Sequence, residues 1–341
     1  ARKTNQLTMV LTTGVLAWAI ALGTGELALR LANSRYPIYD LEMVRYAKEL
    51  KMRDLFQEVS HLHRPNTTAR LMGVDISLNG LGHRSATDLG TVKGADEARV
   101  FVLGNSITMG WGVPLAELFT TRLQDRLNRE HVLGPGRRVV IANAGVGNYN
   151  TCTEARLAAR QLRQVRPDLV LVQYFLPDAE PRGFNSDNLL LKHSYLAAFL
   201  YDKLRKLKGL LGNEDLFTHY RRIYEDTSTD WQRTLGCLDE IRASSVSANA
   251  FMLAMLVPQP HDLGPGSPYR QLYDKIAATF NARGFALLDT VKAFERRFAG
   301  REKGLWVSPE DSHLNMRGHE LMAELLHDYL LLHREALAPS H

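Results

Sequence analysis

From Ala98 onward the chain alternates short apolar runs with longer amphipathic ones, and this alternation constrains the fold more than any other feature. The strand-like runs are 100–103, 139–143, 169–175, 250–257 and 286–288. Helix-like runs lie between them at 115–129, 153–165, 231–247, 268–283 and 291–298, and 317–332 closes the chain. Alternating strands and helices imply an α/β domain with a mostly parallel sheet and helices on both faces. In such sheets a site forms beyond the carboxyl ends of the strands, near a topological switch point. Ser106 follows the first strand, Asn148 and Asn150 the second, and Pro177 and Asp178 the third.

The N-terminal region has a different character. No charged residue occurs from Thr4 to Gly25, and residues 7–25 are mostly apolar on every face. A helix of that length spans a hydrocarbon core of about 30 Å, so these residues are expected to form a transmembrane helix. Arg2 and Lys3 precede the segment and Glu26, Arg30 and Arg35 follow it, a weak charge asymmetry. The reading is an N-terminus inside and a periplasmic or extracellular remainder. A cleaved signal peptide is the rival, and Ala28-Leu29-Arg30 is a poor cleavage setting for it. The expected organisation is an anchor over 1–30, a helix and β-rich collar over 31–97, and an α/β domain over 98–334 with a helical cap inserted at about 179–230.

Within the collar, residues 26–52 read as an amphipathic helix continuing out of the anchor. His61-Leu62-His63-Arg64-Pro65-Asn66 reads as a loop, 74–78 alternates as a half-buried strand does, and Asn79-Gly80 signals a turn. In the cap, 189–211 reads as an amphipathic helix carrying Lys203, Arg205, Lys206 and Lys208 late in its length. The plain reading of that cluster is a solvated face; the sharper one is a face lying on a membrane surface or a partner.

The 341 residues are 45% hydrophobic with a net charge of +5. No Lys/Arg block or basic stripe interleaved with aromatics is present, so nucleic-acid binding is not expected. A mild basic excess fits an anionic membrane surface or an acidic glycan equally well. Cys152 and Cys237 match no metal spacing. They form either one disulfide or two buried thiols, the latter being the default reading. No metal and no redox cofactor is implied.

Two segments carry the chemistry. The strand ending at Leu103 runs into Gly104-Asn105-Ser106, and a polar loop, Asp311-Ser312-His313, precedes a helix for which Asn315 is a credible N-cap. A serine hydroxyl becomes a nucleophile when a base takes its proton, and the base works best when a carboxylate orients it. Ser106 is the candidate nucleophile, His313 its base and Asp311 the orienter, because Asp311 and His313 project to one side of an extended segment. The alternative for Ser106 is a helix N-cap. Glu310 is a second candidate orienter, and His319 reads as structural.

Together these residues resemble the SGNH (GDSL-type) hydrolase superfamily over about residues 98–334. The family's Gly-Asp-Ser corresponds to Gly104-Asn105-Ser106. Its second block resembles Asn143-Ala144-Gly145-Val146-Gly147-Asn148-Tyr149-Asn150-Thr151, and its last resembles Asp311-Ser312-His313. The resemblance implies a flavodoxin-like three-layer sandwich and a serine esterase or O-acyltransferase. It implies an oxyanion hole built from the Ser106 N–H, a second-block N–H and an Asn side chain of the third block. Asn148 stands at the second of these positions and Pro177, which has no donor, at the third. Asn150 is a candidate replacement. Anchored proteins of this kind act on acyl esters of extracytoplasmic polysaccharides, some beside a membrane-bound O-acyltransferase. Pro177 keeps a second expectation open, that of a catalytically impaired subunit of a membrane complex.

Overall fold

The computed structural model describes residues 2–55, 59–90, 92–182, 188–211 and 215–338. Two N-terminal helices come first, α1 (Arg2–Arg35) and α2 (Tyr39–Glu49). They are separated where Pro37 interrupts the pattern, since proline removes a backbone donor and disfavours helix at the residue before it. The continuous helix expected over 26–52 is therefore broken, and its end is strand rather than helix. Four short strands follow: β1 (Lys51–Met52), β2 (Leu62–His63), β3 (Thr67–Leu71) and β4 (Val74–Leu78). β1 pairs antiparallel with β2, Lys51 opposite His63, so the expected loop at 61–66 contains a strand.

The central sheet comprises β5 (Glu97–Leu103), β6 (Arg138–Asn143), β7 (Leu169–Tyr174), β8 (Phe251–Leu256) and β9 (Ala286–Asp289). Its order is β6-β5-β7-β8-β9 and every pairing is parallel. The chain moves from β5 to one side and then returns to the other, so the switch point lies at β5, the strand that leads to Ser106. A last antiparallel pair, β10 (Trp306–Ser308) and β11 (Asp311–Leu314), stands apart from this sheet.

The helices are α3 (Ser106–Met109), α4 (Phe119–Arg129), α5 (Thr151–Val165), α6 (Leu189–His193), α7 (Tyr195–Leu211), α8 (Leu216–Ile223), α9 (Thr229–Ser247), α10 (Arg270–Ala282), α11 (Val291–Phe298) and α12 (Met316–Leu332). Alternation along β5 sorts them into layers. Phe101 and Leu103 pack with α5, α9 and α10 residues such as Leu162, Leu238 and Ile276. Val100 and Val102 pack on the opposite face with Leu123, Phe294 and Leu326 of α4, α11 and α12. Each such buried side chain contributes about 1.5–3 kcal/mol, and the result is the expected three-layer sandwich.

The described residues form two compact units. One holds α1, α2, residues 71–73, α6 and α7; the other holds the sheet, its helices and the short strands around it. In the first, Met9–Arg35 is long and apolar enough to cross a membrane, as an anchor or a signal sequence does. The helix expected over 189–211 breaks at Ser194. There Glu26 accepts hydrogen bonds from the Tyr195 and Leu196 amides at 3.0 and 2.9 Å, capping α7. Lys203 lies 3.8 Å from Asp40. The side chains of Arg205, Lys206 and Lys208 lie outside the described residues.

Cys152 and Cys237 are joined in a disulfide, Cα to Cα 4.9 Å, correcting the reading of two buried thiols. Their positions at the start of α5 and within α9 place them on two helices that pack against each other, which their 85-residue separation in sequence concealed.

Candidate active site

Ser106 begins α3 directly after β5, and Asn105, not Ser106, is the N-cap: its Oδ1 accepts from the Ile107 amide at 2.8 Å. That frees the serine hydroxyl, which lies 2.8 Å from His313 Nε2. His313 Nδ1 lies 2.6 Å from Asp311 Oδ1. A carboxylate only accepts, so the proton sits on Nδ1 and Nε2 is left to accept from Ser106 Oγ. The expected loop is a strand: Asp311 and His313 are alternate residues of β11, which explains why they share a side. Asp311 is buried, while Ser106 and His313 are half-buried and reachable from solvent. Asn315 caps α12 through the Arg317 amide, fixing the end of this segment.

Two supports were not legible in the sequence. Trp111 Nε1 donates to Asp311 Oδ2 at 2.8 Å, so both carboxylate oxygens are held. The only hint was an indole between Gly110 and Gly112. Gly112 has φ +70°, and a Cβ there would lie 2.5 Å from Val307 Cγ1, so the glycine lets β10 close over the turn. Arg84, buried, donates to the carbonyls of Met109, Gly110 and Val113 and fixes the turn after α3.

The second loop, after β6, packs tightly against α3. A Cβ on Gly145 would sit 2.4 Å from the Met109 amide nitrogen, so only glycine permits this approach. Asn148 has φ +69°, the left-handed conformation natural to glycine and tolerated by Asn. Its Oδ1 accepts from Arg182 Nη1 at 3.0 Å. The carbonyl of the preceding Gly147 accepts from Lys51 Nζ at 2.6 Å and from His61 Nε2 at 3.1 Å. Asn150 has a different employment from the one considered for it. It is the N-cap of α5, its Oδ1 accepting from the Thr153 amide at 3.1 Å and its Nδ2 donating to the Glu180 carbonyl at 2.7 Å.

The third loop, after β7, is a single 3-10 turn, Leu176–Ala179, containing Pro177. Asp178 beside it is buried and accepts from Asn105 Nδ2 and from the Phe175 amide, both at 2.7 Å. This accounts for Asn105: an Asp there would set two carboxylates against each other, whereas the amide donates. Burial pushes the Asp178 carboxyl up to about 7 against those two donors. Glu154, buried nearby with no hydrogen-bond partner for either oxygen among the described residues, is raised well above the ordinary carboxyl range by burial and by Asp178. His319 is structural: its Nδ1 accepts from the Phe119 amide at 3.2 Å, and burial lowers it to about 3.

The sequence profile of the GDSL-like lipase/acylhydrolase family matches residues 102–321, more than half of the chain. The chain belongs to that family. It is therefore a hydrolase of the SGNH esterase and acylhydrolase kind. No curated protein matches it by sequence. Among solved structures it is similar to the psychrotrophic esterase EstA from a Pseudoalteromonas species, with 17% identity over 67% of this chain and 94% of that one and a TM-score of 0.41. The lipase/acylhydrolase from Enterococcus faecalis gives 15% identity, 72% and 99% coverage and a TM-score of 0.41. A two-domain esterase active on acetylated mannans gives 14% identity, 72% and 51% coverage and a TM-score of 0.42.

Proposed function

We propose that this GDSL-family hydrolase cleaves or transfers acyl groups esterified to an extracytoplasmic carbohydrate, with Ser106 as nucleophile, His313 as base and Asp311 as orienter. The observation that carries the reading is the continuous chain of contacts from Ser106 Oγ through the His313 ring to Asp311, 2.8 and 2.6 Å. Ser106 Oγ bonds to the acyl carbon as its proton passes to His313 Nε2, and the carbonyl electrons move onto oxygen. The Ser106 and Asn148 N–H groups hold that oxyanion. Collapse expels the sugar hydroxyl, which takes the proton from His313. Water, or a second sugar hydroxyl in a transferase, then repeats the sequence and frees Ser106.

A groove of about 270 Å³ beside the second loop is lined by Ser60, Asn150, Cys152, Thr153, Arg156, Pro181, Arg182 and Arg233, and its hydroxyl, amide and guanidinium groups could hydrogen-bond a sugar. The disulfide and the apolar α1 support an oxidising compartment outside the cytoplasm and a membrane tether, from which the domain would be within reach of a membrane-bound O-acyltransferase. Steady-state release of acetate from an O-acetylated polysaccharide tests the reading: Ser106→Ala should lose at least about 10³-fold in kcat.

A second reading, a non-catalytic subunit of a membrane complex, is favoured by Pro177, which leaves the hole one donor short. It would be supported by equal, background-level hydrolysis in the unaltered protein and Ser106→Ala.

A further inference from the structure

The peptide bond between Gly147 and Asn148 is the one whose N–H would face the oxyanion, and its other end is held in an unusual way. Two side chains donate to the Gly147 carbonyl, Lys51 Nζ at 2.6 Å and His61 Nε2 at 3.1 Å. Both come from the β1–β2 ribbon and its approach, well outside the residues matched by the family profile. Both are buried, at 4% and 0% exposure, so their contacts are not exchanged with water. His61 Nδ1 lies 2.9 Å from Ser60 Oγ, and a carbonyl only accepts, so His61 carries its proton on Nε2 and aims it at Gly147. Tyr149 Oη in turn donates to the His61 carbonyl at 2.5 Å, tying the ribbon to the same loop.

In a trans peptide the C=O and N–H point in opposite directions, so donors on the oxygen fix the direction of the N–H. They also strengthen it as a donor, because hydrogen bonds in series polarise one another by roughly 10–30% per bond. Asn148 sits at φ +69°, a conformation that Asn tolerates but shares with others of similar energy, so contacts on its peptide help to fix one orientation. Arg182 holds the Asn148 side chain from the other direction.

We propose that Lys51 and His61 are positioning residues of the oxyanion hole. By gripping the Gly147 carbonyl they set and strengthen the Asn148 N–H as a donor, offsetting the donor absent at Pro177. The proposal rests on the Ser106–His313–Asp311 reading of the site. It explains why two buried side chains converge on one backbone carbonyl of the loop that follows β6, where a single donor would satisfy that carbonyl for folding alone.

The test uses the full-length protein, p-nitrophenyl acetate as substrate, and trifluoroacetophenone, a ketone whose serine adduct carries an oxyanion. Lys51→Met should lower kcat about 10- to 100-fold, leave KM within twofold, and weaken the ketone by the same factor as kcat/KM. Lys51→Arg should restore most of the loss. A merely structural lysine would lower the melting temperature without this split. His61→Phe, which leaves Lys51 in place, should show a smaller loss of the same kind and supplies the answer if Lys51→Met does not fold. Activity that depends on Ser106 but is unchanged in folded Lys51→Met or in His61→Phe overturns the proposal alone. A fall in kcat without weaker ketone binding also overturns it. Hydrolysis indifferent to Ser106→Ala overturns the site reading, and the proposal with it.

Discussion

The indole nitrogen of Trp111 lies 2.8 Å from Asp311 Oδ2, on the side of the carboxylate away from His313. A buried carboxylate that orients an imidazole needs its second oxygen satisfied, or it rotates and competes for other donors. Hydrogen bonds to charged groups contribute about 1.5–3 kcal/mol. Trp111→Phe keeps the ring and removes only the donor. It should lower kcat about tenfold with KM unchanged, read by steady-state kinetics. An equal rise in KM would mean that Trp111 contacts substrate instead.

Pro177, which the resemblance sets at the position of the family's oxyanion-hole Asn, has no donor to offer. Pro177→Asn should raise kcat, by up to about 10²-fold if the 3-10 turn is retained, because one such donor is worth about 10²–10³ in rate. The gain should appear in kcat rather than KM, since the charge develops only in the transition state. High activity in the unaltered protein with no gain in Pro177→Asn would show that the hole is already complete.

Stability should fall on mild acidification. Burial holds His61, His63, His83 and His319 at about 2, 3, 4 and 3, so the folded state refuses protons that the unfolded chain takes up near 6.5. Their stabilisation is complete well above 6.5 and is lost progressively as pH falls through 6.5 toward the folded values of about 2 to 4. Glu154 and Asp178 act in the opposite sense, since their raised values let the folded state hold two protons that the unfolded chain releases. Near pH 6.5 the unfolded histidines are half protonated and the two effects nearly cancel, whereas by about pH 5 four against two leaves a net uptake approaching two protons on unfolding. Two protons correspond to about 2.7 kcal/mol per pH unit at most. Urea unfolding at pH 6.5 and 5.0 measures it; stability flat or rising toward acid would contradict the burial of these histidines as neutral rings.

The disulfide between α5 and α9 closes a long loop. Its removal in a Cys152→Ser, Cys237→Ser double variant should cost about 2–4 kcal/mol and lower the melting temperature by several degrees. An unchanged melting temperature under both reducing and oxidising conditions would mean that the bond does not form.

The sheet was legible because β5 to β9 are short apolar runs separated by amphipathic helices, and periodicity records burial directly. Ser106 was legible because it follows a recognisable strand, and Asp311 and His313 because they stand two residues apart just before a helix, although the expected loop there is strand β11. Trp111, Arg84, Lys51 and His61 were not. Each acts on a backbone carbonyl or carboxylate remote in sequence, at separations from 25 residues for Arg84 and Met109 to 200 for Trp111 and Asp311, and such pairing leaves no local pattern. The break at Ser194 was hidden for a similar reason, since its cap comes from Glu26. Asn148 was half legible: its residue type permits a positive φ but does not reveal the two donors behind its peptide.

The central claim is that Ser106 is a nucleophile activated by His313. Incubating the protein with a fluorophosphonate and mapping the adduct by intact and peptide mass spectrometry tests it most directly. The account predicts one adduct per chain, on the peptide containing Ser106, abolished in Ser106→Ala and slowed at least about 10²-fold in His313→Ala. No adduct, or an adduct at another residue that persists in Ser106→Ala, would contradict it.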